Sequence, residues 1–427
     1  MTDATSNTPG EQVGKSGRLL AADGTPLKLK LEQALFVSRL RAFGLVSPLL
    51  AFILAVLIVP IVIFMMQGIH NPTYEDRMPN STPLIQAWDG ESAVTEEMYA
   101  AMVADLILAR ENKSIGKVAS RVNQEYSGTR SMFTKSARRA KKMEAPFSEA
   151  LVKVDKKWGK LEVWQSIKVA ATSWTPAFYL AALDFKYSGD GSISRQDEDR
   201  RIHVKLFLRT LEISVLVTIG AFLLGYPVAW LLASLPVRTS NLLMILVLLP
   251  FWTSILVRTT AWIAMLQGQG VVNDLSVFMG ITADDARFSM IYNKTGTLIA
   301  MIHILLPFMI LPLYSVMKTI PPSYMRAAKS MGATDWTAFW RVYFPQTIPG
   351  IGAGALLVFI LAIGYYITPA LVGGQDGQMI SNFIDFHMRK SLNWSLAAAL
   401  GGVLLIFVLM CYWVYDRVVG IDNMKLG

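Results

Sequence analysis

Six stretches of this sequence, residues 43–67, 207–235, 242–266, 297–316, 348–372 and 395–415, are apolar for long enough to cross a hydrocarbon layer of roughly 30 Å, and no other property narrows the possible folds as far. Inside such a layer the backbone has no water to bond to, so a continuous apolar run satisfies its own N–H and C=O groups as a helix. The expected fold class is therefore all-α: a polytopic membrane protein with six transmembrane helices. Hydrophobic residues make up 53% of the chain and charged residues only 17%, a surplus that a soluble globule would disperse rather than gather into runs. Proline recurs inside the runs, at Pro60, Pro227, Pro250, Pro307, Pro312 and Pro369. Each removes a backbone donor and kinks or breaks a helix, which suits a translocation path as well as ordinary kinked packing.

An even number of crossings puts both ends of the chain on one side. The short flanks say which side. Lys28, Lys30, Arg39 and Arg41 precede the first run, Arg238 separates the second and third, Lys318, Arg326, Lys329 and Arg341 lie between the fourth and fifth, and Arg417 follows the last. Basic residues in short flanks face the cytoplasm, so both termini are expected there. The chain then divides into a cytoplasmic tail (1–42), a first helix (43–67), a long extracytoplasmic segment (68–203), a core of five helices (204–417) and a second tail (418–427).

The first tail is polar, and the first apolar run begins too late and extends too far for a cleaved signal, so it reads as a retained anchor. Gly10, Gly14, Lys15 and Ser16 imitate a phosphate-binding loop, but the spacing is one residue short and no strand precedes it, so the energy source lies outside this chain. In the long segment Met98, Ala101, Met102, Leu106 and Leu108 mark one amphipathic stretch, and Val163, Ile167, Ala170, Ala171 and Trp174 mark a clearer one. A basic run at 135–142 lies between them. Carboxylates in the same segment nearly balance it, so the net charge of +9 does not imply nucleic-acid binding. The single cysteine, Cys411, lies in the last apolar run with no disulfide partner. Asn293, Lys294 and Thr295 spell a glycosylation sequon that reads as chance. No grouping of serine, histidine and carboxylate carries a catalytic motif, so the chain is not expected to be an enzyme.

The polar connection at 321–346 is the most distinctive local sequence. Tyr324, Ala327, Ala328 and Met331 follow helical spacing on one face, with Arg326 and Lys329 pointing elsewhere. Gly332 permits a left-handed stop, and Thr334 can cap a second short helix. On that helix Trp336, Phe339, Trp340 and Tyr343 repeat the spacing before Pro345, which is expected to end it. Four aromatics on one face of a loop between membrane helices form a docking surface.

At these residues the chain resembles the cytoplasmic EAA loop of ABC importer permeases. Ala327, Ala328, Gly332, Ala333, Phe339, Val342 and Pro345 fall on the family pattern, while Arg326 stands where the glutamate is usual. The runs LPFWTSILVRTTAWI at 249–263 and LPFMILPLY at 306–314 resemble the spermidine/putrescine branch of the same permeases. The resemblance implies a type I importer permease in a bacterial inner membrane. It also implies a pair of ABC ATPase subunits that bind ATP and Mg, a second homologous permease and an extracytoplasmic solute-binding protein, with a polyamine or related small organic cation as cargo. The long segment would then be a cap that meets the binding protein or a surface insertion. An ion-coupled secondary transporter or channel is the alternative, for which inverted repeats and mid-membrane carboxylates would be expected.

Three ionisable residues inside the runs share a depth near the outer surface: Glu212, Arg258 and His303. A charge at that depth needs a partner or water. Glu212 with Arg258 is the expected pair across adjacent antiparallel helices, joined by His303, and acts either as a structural bridge or as an outer gate. The histidine has no companions at metal-ligand spacing.

Overall fold

The computed structural model describes residues 27–187 and 192–419, so the phosphate-loop imitation at residues 10–16 and parts of both tails lie outside the described residues. The described chain is predominantly helical and divides into two units between Phe64 and Met65. The first unit is α1 (Leu27–Ile53), a π-helical turn (Leu54–Ile58) and most of α2 (Val59–Met66). Its apolar length Ala34–Met66 has a mean hydropathy of 3.2 and exposed side chains, the composition of a helix that meets lipid tails.

The long segment between the first two apolar runs folds around a core of its own. It contains α3 (Ser81–Ala87), α4 (Glu96–Glu111), α5 (Ile115–Glu125), α6 (Thr129–Arg139), α7 (Phe147–Val154), α8 (Leu161–Ala171), α9 (Ala177–Ala182) and an antiparallel pair, β1 (Phe185–Tyr187) with β2 (Ile193–Arg195). Met98, Met102 and Leu106 of α4 and Val163 and Ile167 of α8 close on Trp158 and Trp164, all buried. Burying each aliphatic or methionine side chain stabilises by roughly 1.5–3 kcal/mol. Asp105 is fully buried on α4. It accepts hydrogen bonds from the backbone N–H groups of Asn80 (3.1 Å) and Ser81 (2.7 Å), the Asn80 amide (2.8 Å) and the Ser81 hydroxyl (2.7 Å), holding the start of α3. Trp174, expected on the α8 stripe, lies beyond that helix and is exposed. Backbone bonds from Asn71 to Ser173 and from Thr175 to Ile69, both 2.8 Å, draw it into an extended bridge opposite His70.

The rest of the chain runs through α10 (His203–Ser234), α11 (Val237–Leu248), α12 (Ile255–Leu266), α13 (Val271–Phe278), α14 (Lys294–Thr319), α15 (Pro322–Ser330), α16 (Asp335–Ala338), α17 (Phe344–Ile363), α18 (Ile367–Val372), α19 (Ile380–Arg389) and α20 (Trp394–Val419). Helices α10, α14 and α17 form the packed centre, with Ile213, Val217, Met301, Met309, Leu313 and Val358 buried between them. Two glycines set the α14–α17 distance. A Cβ on Gly354 would stand 2.8 Å from the Met309 sulfur, and one on Gly350 would stand 3.2 Å from the Pro312 carbonyl. Such small positions four apart let helices approach in lipid, where dispersion rather than the hydrophobic effect holds them.

Two of the expected spans are not continuous. The one placed at 242–266 is broken: α11 ends in a 3₁₀ turn, Leu249–Trp252, and the following helix leaves at 97°. Pro250 lacks the N–H that would continue the ladder, and Ser254 restarts it by accepting from the Leu256 N–H. The span placed at 348–372 stops at Ile363, and the chain unwinds before α18. Side chains of α19 satisfy the freed carbonyls, Ser381 donating to Tyr365 O (2.5 Å) and Asn382 to Tyr366 O (2.7 Å). Irregular backbone at membrane depth needs such protein partners. Among the described residues, five helices are long and apolar enough to cross a membrane, or six if the bent pair is one span.

Candidate functional site

The connection between α14 and α17 begins with α15, which Pro322 starts at its first turn. Its end is a Schellman motif, with Ala333 N–H donating to Ala328 O (3.1 Å) and Gly332 N–H to Lys329 O (2.9 Å). Gly332 supplies the left-handed residue this requires, at φ +91°. Thr334 then caps α16, accepting from Thr337 N–H at 3.2 Å, and Lys329 ion-pairs with Asp335 across the turn. The two-helix expectation around a glycine therefore describes the observed geometry.

Pro345 does not end the second helix. The chain winds through a π-helical turn, Phe339–Tyr343, and continues unbroken from Asp335 to Ile363. Phe344 N–H bonds to Phe339 O, five residues back, and this wide turn just before Pro345 spares the proline ring the clash with the preceding turn. The four aromatics do not share one face either. Trp336 is 72% exposed and meets Trp340, also exposed, edge to face at 5.6 Å. Phe339 and Tyr343 stack on each other at 5.9 Å and turn inward, where Tyr226 and Phe344 receive Phe339. Residues 339 and 343 thus anchor the loop to α10, and residues 336 and 340 stand outside.

On the α15 side Ala328 is buried, while Tyr324, Ala327 and the 82% exposed Met331 complete the outer surface. Arg326 is exposed and, among the described residues, in no ion pair. The surface therefore offers two indoles, a phenol, a thioether and an unpaired cation. Large aromatic anchors beside a cation are what a protein partner's cleft recognises. No chemistry of bond making follows from these groups.

The intramembrane residues are arranged differently from the expected belt. Glu212 is exposed and pairs with Lys294 at the start of α14, not with Arg258. Lys294 precedes the apolar run by a turn and lies at the depth of Glu212, which was the available signal. Arg258 is half-buried on α12 and its Nε has no hydrogen-bond partner. His303 accepts from the Trp262 indole N–H at 3.1 Å. His303 is thus joined to α12 through Trp262, one turn from Arg258, and Glu212 stands apart. Asn293, the sequon residue, caps α14 by accepting from Gly296 N–H at 3.0 Å.

Because Glu212 and Arg258 do not touch, the double variant Glu212→Gln/Arg258→Gln is expected to lose assembled protein by the sum of the single losses. The Glu212 change, in an exposed pair, contributes little. Recovery in the double variant, measured as purified complex per cell, would put the two side chains in contact.

The family described as binding-protein-dependent transport system inner membrane component matches residues 223–419, the part that holds the packed helices and the loop. The spermidine/putrescine transport system permease protein PotB of Escherichia coli is 32% identical over 219 residues, covering 51% of this chain and 79% of its own. The inner membrane ABC transporter permease protein YdcU of the same organism is 32% identical over 213 residues, covering 48% and 68%. A solved bacterial ABC transporter involved in alginate import is 19% identical, with a TM-score of 0.42 over 52% of this chain and 81% of its own.

Proposed function

This chain belongs to the family of binding-protein-dependent transport system inner membrane components, and from that premise we propose that it passes a small organic cation of the polyamine class through a bacterial inner membrane. It is the permease subunit of an ABC importer. In this reading a second, related permease completes the path, a pair of ATPase subunits binds ATP and Mg, and an extracytoplasmic binding protein delivers the cargo. Both termini and the loop at 321–346 face the cytoplasm, and the helical insertion faces outward. Closure of the ATPases on ATP pushes the loop, and the attached helices exchange an outward for an inward opening.

The observation that carries this reading is the outer surface of the loop. Trp336, Trp340, Met331 and Tyr324 are exposed in a segment that Phe339 and Tyr343 fix firmly to the helices behind it. A rigid apolar surface on a short loop has a role only if a partner covers it, and its attachment to α17 turns the partner's movement into movement of a membrane helix. The cargo assignment rests on the similarity to the PotB spermidine/putrescine permeases and on the runs at 249–263 and 306–314.

The test is reconstitution of the permease pair and ATPases in liposomes with the binding protein outside and labelled spermidine. Uptake is expected to require ATP inside and the binding protein outside. Uptake by the permease alone, driven by an ion gradient, would replace the importer reading with a secondary transporter.

A further inference from the structure

The break between α11 and α12 lies halfway through the membrane core. Phe251, in its 3₁₀ turn, meets Phe308 edge to face at 5.0 Å. Phe308 stands near the middle of α14 (Lys294–Thr319), about 21 Å from one end of that helix and about 17 Å from the other at 1.5 Å per residue. Two extended residues, Thr253 and Ser254, carry the chain through the bend. The peptide unit that joins them makes neither of its backbone bonds: no donor reaches the Thr253 carbonyl, and the Ser254 N–H reaches no acceptor. Their hydroxyls are engaged elsewhere, that of Thr253 donating to Pro250 O at 2.8 Å and that of Ser254 accepting from Leu256 N–H at 3.3 Å. Both residues are exposed on this chain.

An exposed, unbonded peptide at this depth restricts what lies against it. Lipid tails supply neither donor nor acceptor, and each polar group left bare in them costs several kcal/mol. Water would satisfy the peptide, but the side chains around it are the wrong lining for an aqueous passage. Trp252 is 75% exposed and Val257 60%, with Leu249 and Leu256 exposed beside them. A protein surface meets both demands, packing against the apolar groups while bonding the peptide. The exposed stripe also continues along α11 through Leu242, Ile245 and Leu246 at helical spacing, so the covering element has the length of a membrane helix. An asparagine or glutamine on that helix has a donor for the Thr253 carbonyl and an acceptor for the Ser254 N–H in one side chain.

We propose that the α11–α12 break is the seat of the second permease subunit, which lays an amide-bearing membrane helix along residues 242–257 and packs around Trp252. The identity of the partner rests on the importer reading; the surface it occupies is read from the break itself.

The test places the photo-cross-linking amino acid p-benzoylphenylalanine at position 252, and separately at position 256, of the full-length chain reconstituted with the second permease and the ATPases. Illumination is expected to join this chain to the second permease from both positions. Trp252→Ala is expected to reduce the second permease that co-purifies with this chain tenfold or more, and Trp252→Phe to reduce it less. The cross-links at position 256 keep the question answerable if changes at Trp252 prevent folding. No protein adduct from either position, adducts only with residues 43–67 of this chain or with another copy of it, or undiminished co-purification of the alanine variant would each overturn the assignment. Spermidine uptake by the same complex separates the two readings. Uptake that needs ATP and the binding protein, without an adduct, removes this seat and leaves the importer standing. An adduct with the second permease in a complex that takes up spermidine on an ion gradient alone keeps the seat and removes the importer.

Discussion

Gly332→Val is expected to abolish ATP-driven uptake and retention of the ATPase while leaving membrane insertion intact. At φ +91° the residue occupies the left-handed region, where a β-branched side chain is strained by about 1–3 kcal/mol. Nothing lies within 4 Å of the Cβ that valine would add, so the effect comes from the backbone alone and not from a clash. Relief of the strain would undo the bonds from Ala333 to Ala328 and from Gly332 to Lys329, and would swing α15 away from Trp336 and Trp340. The competent loop would fall in population by roughly ten- to a hundredfold. Gly332→Asn, which tolerates this region, is expected to retain most activity. Both are measured by co-purification of the ATPase and by uptake in cells. Parental transport by the valine variant would mean that this loop does not couple the ATPase to the helices.

Asp105→Ala is expected to destabilise the helical insertion by on the order of 3 kcal/mol or more, the largest loss of stability from any single polar change in it. Four donors from Asn80 and Ser81 converge on this buried carboxylate, and alanine leaves them without an acceptor and without water. Asp105→Asn keeps one acceptor oxygen and is expected to lose less. Limited proteolysis of the full-length protein reads the result. Cleavage within residues 72–175 should be much faster in the alanine variant, and a digestion rate equal to the parent's would mean that the carboxylate does not hold α3 in place.

What the sequence determined by itself are features that a short stretch of chain decides alone. A run of apolar residues partitions into lipid and becomes helical whatever surrounds it, which is why the membrane character and the positions of the first, second, fourth and sixth spans were legible. Glycine at a helix end and threonine before the next are equally local, so the Gly332 stop and the Thr334 cap could be read from residue type. The tertiary structure decided everything that depends on which distant group arrives. Ser381 and Asn382 stabilise an unwound stretch at Tyr365 and Tyr366 that hydropathy alone counts as span. Tyr226 and Phe344 draw Phe339 inward, so a stripe that looks uniform on a helical wheel is split into an anchor and an exposed face. Lys294 reaches Glu212 before Arg258 can, because the helix that carries it starts beside α10. The four donors around Asp105 belong to the same class. Polar side chains are satisfied, or left wanting, by residues tens or hundreds of positions away, and the energy that selects those partners exists only once the helices have packed.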